Sequence, residues 1–162
     1  HLGGKGICYR TGNSYTKAAV RDNDLPFGGE LSGHVYFRDR FPGFDSGLYA
    51  GLRLVEILSN TDKTCEELLE GINEYYSTEE LKFKSPDTIK FKVVEKVEEY
   101  AKSKDYDYLS IDGVKVLFDD GWALVRASNT GPNLTARFEA STKERLAEIE
   151  NEFTNIINEY NK

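Results

Sequence analysis

Methionine is missing from this chain altogether, and its first residue is His1. A chain that opens in this way reads as a piece of a longer protein. Cysteine is nearly absent too. Cys8 and Cys65 stand apart with no ligand spacing around them, which excludes a disulfide framework and leaves two reduced thiols as the expectation. No apolar run is long enough to span a bilayer, and the N-terminus carries no signal-peptide pattern, so no membrane partner is expected. Positive charge is scarce: 21 Lys and Arg stand against 28 Asp and Glu, for a net charge of −7. Eight of the basic and eleven of the acidic residues lie up to Ser77, leaving thirteen and seventeen beyond it. Neither half has the basic excess that a phosphate backbone requires, so no nucleic-acid partner is expected. An anionic ligand must then be held by a local cluster of Arg and backbone N–H groups.

What is present suits a packed protein. Hydrophobic residues make up 39% of the 162 and charged residues 30%, enough for one domain or two small ones. Residues 5–11 read as a short strand that Gly12 breaks, and a helix follows through Tyr15, Ala18, Ala19 and Val20. After a turn at 22–27, Val35 and Phe37 mark a second strand, with Arg38, Asp39 and Arg40 as a solvated rim. Asp45 is read as the cap of a helix whose stripe of Leu48, Leu52, Val55 and Leu58 belongs to a core. Thr64 and Glu67 form a capping box opening a further helix that buries Leu68, Leu69 and Ile72. The polar stretch at 73–80 has no period and divides a first domain, 1–73, from a second, 80–162.

The second domain reads as an α+β module. A short strand at 81–84 precedes a helix started by Ser85-Pro86, with Ile89, Val93, Val97 and Ala101 on one face. Strands at 108–111, 114–118 and 122–125 are joined by Asp112-Gly113 and Asp120-Gly121, both hairpin signals. A fourth strand runs over 134–138. Ser141 and Glu144 are read as a capping box for a last helix burying Leu146, Ile149, Phe153, Ile156 and Tyr160. Strands followed by a covering helix give a four-stranded antiparallel sheet with two helices on one face.

Two stretches carry chemistry. The first is Gly28-Gly29-Glu30-Leu31-Ser32-Gly33-His34. In an extended segment Glu30, Ser32 and His34 share one side. A carboxylate, a hydroxyl and an imidazole together accept from and donate to neighbouring sugar hydroxyls. The same residues would equally make a glycine-bracketed turn with solvated polar groups, and spacing does not separate the two. The second is Arg126-Ala127-Ser128-Asn129-Thr130-Gly131-Pro132. Arg126 offers a planar fork of donors, Ser128 and Thr130 add hydroxyls, and Gly131 permits a turn whose successive N–H groups form an anion nest. Its alternative is a connection rich in turn residues and nothing more. Thr11-Gly12-Asn13-Ser14 joins strand to helix, and is either a simple helix cap or a dipole-assisted ligand contact.

Gly29 to His34, with Val35-Tyr36-Phe37-Arg38-Asp39-Arg40-Phe41 and Gly43-Phe44-Asp45 after it, resembles the sugar-binding loop of the α-D-phosphohexomutases, the phosphomannomutase/phosphoglucomutase family. Arg126 to Glu139 resembles that family's phosphate-binding segment. The resemblance covers nearly the whole chain. It implies the C-terminal part of the third of four domains, an α/β domain with a mixed sheet and helices, and then the fourth domain with a fold like the TATA-binding protein. It implies sugar contacts from Thr11, Gly12, Glu30, Ser32 and His34, and phosphate contacts from Arg126, Ser128, Asn129 and Thr130. Arg137 is placed behind them, in a supporting ion pair with Glu139. Leu31 stands where phosphoglucosamine mutases typically carry Gln. Two positions depart from the family pattern. Asn13 stands where many members have His, so no titratable group is available there, and Gly131 replaces a residue the family usually keeps.

The resemblance also implies an isomerase interconverting hexose 1-phosphate and hexose 6-phosphate, a cytoplasmic phosphoprotein of carbohydrate metabolism. A phosphoserine in the first domain, Mg²⁺ held by aspartates of the second, and a glucose or mannose 1,6-bisphosphate intermediate complete the picture. Neither the serine loop nor the aspartate loop is in this sequence, so no catalytic residue and no metal ligand is expected here. The partners implied are hexose phosphates and the N-terminal domains of the same polypeptide, and the 162 residues alone are expected to be inactive. Two alternatives remain: a phosphoglucosamine or phosphoacetylglucosamine mutase fragment, against which Leu31 speaks, and a non-catalytic sugar-phosphate-binding module.

Overall fold

The computed structural model describes residues 3–129 and 131–162. The chain divides into two compact units, His1–Ile72 and Asn73–Lys162.

In the first unit, α1 (Asn13–Asp22) precedes a hairpin of β1 (Phe27–Gly29) and β2 (Val35–Phe37), and α2 (Gly47–Ser59) follows. The two strands are antiparallel, with Gly29 opposite Val35. The strand read over 5–11 is irregular: Ile7 and Tyr9 are more than half exposed, and a strand needs a neighbour to satisfy its backbone. Asp45 does not cap α2. Ser46 does, its hydroxyl accepting from the Tyr49 N–H at 3.2 Å. The α2 stripe is not buried either, with Leu48, Leu52 and Val55 each exposed by more than half. The Thr64–Glu67 box forms in both directions, at 2.7 and 3.2 Å. It opens only a 3₁₀ turn, Glu67–Leu69, and leaves Leu69 and Ile72 exposed. Arg38 pairs with Asp24, Arg40 grips Glu56 with both nitrogens, and Asp39 pairs with Arg53, so the rim is a set of ion pairs.

The second unit is an antiparallel sheet of β3 (Tyr76–Ser77), β4 (Leu81–Lys84), β5 (Asp107–Leu109), β6 (Val114–Phe118), β7 (Gly121–Ala127) and β8 (Asn133–Ala140), with α3 (Lys90–Ser103) and α4 (Lys143–Tyr160). The expected four strands are β5 to β8, in meander order. Both β3 and β4 pair with β8 and extend its edge. Val114, Val116, Ala123, Val125, Leu134, Ala136 and Phe138 alternate inward and bury against Val93, Val97, Ala101, Ile149, Phe153 and Ile157. Pro86 does not open α3. Its carbonyl accepts from Ile89 and Lys90, and the helix begins only at Lys90. Thr142, not Ser141, caps α4, and Tyr160 stays exposed at its end. Among the described residues no helix is long and apolar enough to cross a membrane, and Cys8 and Cys65 are free and exposed.

Candidate functional site

The loop between β1 and β2 is a turn and not an extended segment. The Gly33 N–H donates to the Glu30 carbonyl at 3.0 Å, and the Glu30 N–H to the His34 carbonyl at 2.9 Å. Gly33 takes φ +89°, a conformation that a side chain would disfavour. The turn, and not strand alternation, therefore brings Glu30 and His34 across from one another, with Ser32 exposed at its tip.

Two residues that pattern reading did not assign hold this pair. Tyr36 is fully buried, and its hydroxyl donates to Glu30 Oε1 at 3.1 Å, with the Asn13 carbonyl 3.4 Å away. Burial first, and then the bond to Glu30, push the phenol up to about 12, so it stays a donor at any physiological pH. Asp45 receives three donors: His34 Nδ1 at 2.6 Å, the Asn13 side-chain amide at 3.3 Å and the Val35 N–H at 3.3 Å. The bond from His34, ahead of those from Val35 and Asn13, keeps its carboxyl below the ordinary range. An ionised carboxylate only accepts, so a neutral His34 must carry its proton on Nδ1. Its Nε2 then carries a lone pair that can accept a hydrogen bond from a hydroxyl. Asn13 cannot titrate, and its amide instead ties the start of α1 to Asp45. Thr11 and Gly12 directly precede it, and the Gly12 carbonyl accepts from Tyr15 and Thr16 as α1 begins.

In the second unit the Arg126 stretch is the connection between β7 and β8. Arg126 is mostly buried, and its guanidinium lies 3.8 Å from Asp112 and 3.9 Å from Glu80, too far for hydrogen bonds. Neither carboxylate uses a hydrogen-bond donor of the guanidinium. Gly113 makes this placement possible: a Cβ there would meet the Val125 carbonyl at 2.4 Å and Arg126 Cβ at 2.5 Å. The Ser128 N–H donates to the Asn133 carbonyl at 2.9 Å, closing the hairpin. The expected anion nest at Gly131 involves Thr130 and so falls partly outside the described residues. Ser128 is buried, Asn129 is exposed, and Thr130 lies outside the described residues. Arg137 and Glu139 do not pair with each other. Glu139 accepts from the indole of Trp122, its direct cross-strand partner, at 2.9 Å, and Arg137 reaches the Ser77 hydroxyl at 3.3 Å with its Nε buried and without a partner. Among the described residues no cluster of His, Cys, Asp or Glu is arranged to hold a metal.

Comparison with known proteins matches two adjacent family models. Residues 1–75 match the phosphoglucomutase/phosphomannomutase alpha/beta/alpha domain III, and residues 80–156 match the phosphoglucomutase/phosphomannomutase C-terminal domain. A phosphomannomutase/phosphoglucomutase of Pseudomonas syringae is 41% identical over 93% of this chain, and a phosphoglucomutase of Neisseria gonorrhoeae is 42% identical over 96%. The chain spans about a third of their length, 32% and 34%. The crystal structure of a phosphoglucomutase/phosphomannomutase family protein from Burkholderia thailandensis superposes with a TM-score of 0.81 at 38% identity, covering 94% of this chain and 32% of that one.

Proposed function

Because the chain belongs to the phosphoglucomutase/phosphomannomutase family, spanning its domain III and C-terminal domain, we propose that it is the substrate-recognition portion of a phosphohexomutase. In the complete protein, a hexose 1-phosphate and a hexose 6-phosphate are interconverted through a bisphosphorylated sugar. The hairpin loop grips the sugar: Glu30 accepts from hydroxyls, Ser32 donates and accepts, and His34 Nε2 accepts. The β7–β8 connection holds the phosphate that is not reacting, through Arg126, Ser128, Asn129 and Thr130. Arg137 supports the neighbouring strand. In this reading Mg²⁺ and the phosphoryl donor are supplied by other domains of the complete protein. A cytoplasmic setting follows from substrates that are intracellular metabolites.

The observation that carries this reading is the Tyr36–Glu30 and Asp45–His34 pairing. Glu30 and His34, two of the three loop groups, are each held by a second side chain, which a solvated turn does not need. The test is titration of ¹⁵N-labelled chain with glucose 1-phosphate and, separately, mannose 1-phosphate. Amide shifts at residues 30–34 and at 126–131 are expected. Glucose without phosphate should move the first set only, and inorganic phosphate the second only. Shifts scattered over neither loop would overturn the reading.

A further inference from the structure

Lys90, the first residue of α3, has a side chain only 7% exposed. Its Nζ donates to the Ser128 carbonyl at 2.7 Å and the Gly131 carbonyl at 3.2 Å, and pairs with Asp87 at 2.7 Å. An ammonium has three donors, and three acceptors occupy them. A lysine is rarely buried unless it is satisfied in this way. Two of the acceptors lie in the β7–β8 connection, at either end of its tip. The same tip is pinned from α3's side by the Ser85 N–H donating to the Pro132 carbonyl at 3.0 Å.

We infer that Lys90 is a positioning residue for the phosphate-binding connection: by drawing the Ser128 and Gly131 carbonyls inward it turns the Asn129 N–H outward as an anion donor. The step from carbonyl to N–H is geometric. Within a planar trans peptide the C=O and the following N–H point in opposite directions. With the Ser128 carbonyl fixed on Lys90, the N–H of the same peptide, on Asn129, faces away from it. At the other end the Gly131 carbonyl precedes Pro132, which has no N–H to orient. Lys90 does not itself grip phosphate, since its donors are used and Asp87 offsets its charge. Without Lys90 the peptide after Ser128 can flip and present a carbonyl to an anion.

This inference rests on the phosphate reading of the connection, and the experiment separates the two. The ¹⁵N-labelled chain is titrated with inorganic phosphate, and amide exchange is followed without ligand, for wild type, Lys90→Met, Lys90→Gln and Arg126→Ala. In Lys90→Met the phosphate Kd should rise roughly tenfold. The Ser128 and Asn133 amides should exchange roughly tenfold faster while β5 to β8 stay protected. Lys90→Gln keeps a neutral donor and should fall between the two. A Kd or loop exchange unchanged in Lys90→Met overturns the inference. So does a Gln variant equal to Met, because Lys90 would then act through its charge. If Lys90→Met does not fold, a Lys90→Gln variant indistinguishable from wild type overturns it. A phosphate affinity indifferent to Arg126→Ala overturns the phosphate reading instead, and loop exchange still reports on Lys90.

Discussion

Tyr36 places a hydroxyl beneath Glu30 at a strand position that packing alone would fill with an apolar ring. Its phenol is raised from 10.0 to about 12, by burial and then by Glu30. A group raised in the folded state contributes stability that is complete below the unfolded value and lost as pH rises through the folded one. The window is therefore about pH 10 to 12, and two units are worth about 2–3 kcal/mol. In Tyr36→Phe this alkaline loss should vanish from the hairpin. Tyr100 in the second unit is also pushed up to about 12, so the measurement is amide exchange at residues 27–37 across that range, not a global midpoint. A second expectation concerns Asp45. In wild type the ¹⁵N shifts of His34 should report the proton on Nδ1. In Asp45→Asn the ring should become a mixture of tautomers, and glucose 1-phosphate binding should weaken by roughly tenfold as Nε2 ceases to be a pure acceptor. A wild-type ring protonated on Nε2 would contradict the orientation argued here.

At the scale of elements, short-range chemistry was legible where one residue decided it, and illegible where two neighbours competed. Gly113 and the Asp112 turn, the strand at 114–118 and the faces of α3 and α4 were all readable from turn residues and period. The caps were not. Asp45-Ser46 and Ser141-Thr142 each offer two good capping residues in a row, and in both the second takes the helix, at Ser46 and Thr142. The freed Asp45 turns to His34, a contact across eleven residues that no local pattern announces. Lys90 was illegible for a similar reason, since a lysine opening a helix is ordinarily solvated. The α2 stripe is apolar yet exposed, because periodicity reports a face and not what covers it. Substitutions separate these cases. Thr142→Ala should destabilise by about 1 kcal/mol and Ser141→Ala by less than about 0.5. Leu52→Ala on the exposed face of α2 should be nearly neutral, while Ile149→Ala in the core should cost about 2–5 kcal/mol. Urea unfolding of the four variants measures all of this, and equal losses at Thr142 and Ser141 would remove the assigned cap.

At the scale of the molecule, the two units differ in how they are held. Every residue of the large buried cluster lies between Val93 and Ile157, within the second unit. In the first unit the buried apolar side chains among the described residues are Ala19, Val20 and Tyr36, joined by half-buried ring contacts such as Phe41 stacked on Tyr49. Burial of apolar surface is the main source of folding free energy, at roughly 25 cal/mol per Å². The second unit should therefore fold by itself, and the first should be the weaker. Residues 73–162, expressed alone, are expected to give a cooperative unfolding transition and a well-dispersed amide spectrum that overlays the same residues in the 162-residue chain. In the longer chain, amides of α1 and the β1–β2 hairpin should exchange far faster than those of β6, β7 and β8, because few buried contacts must break to open them. Gly113→Ala tests the same division from the other side. Its Cβ would meet backbone at Val125 and Arg126 and its φ of +83° disfavours any side chain, so it should destabilise the second unit by several kcal/mol. The hairpin amides of the first unit should be left where they were. If residues 73–162 fail to fold alone, or if Gly113→Ala melts both units together, the second unit depends on the first and the β7–β8 connection is not built by its own sheet alone.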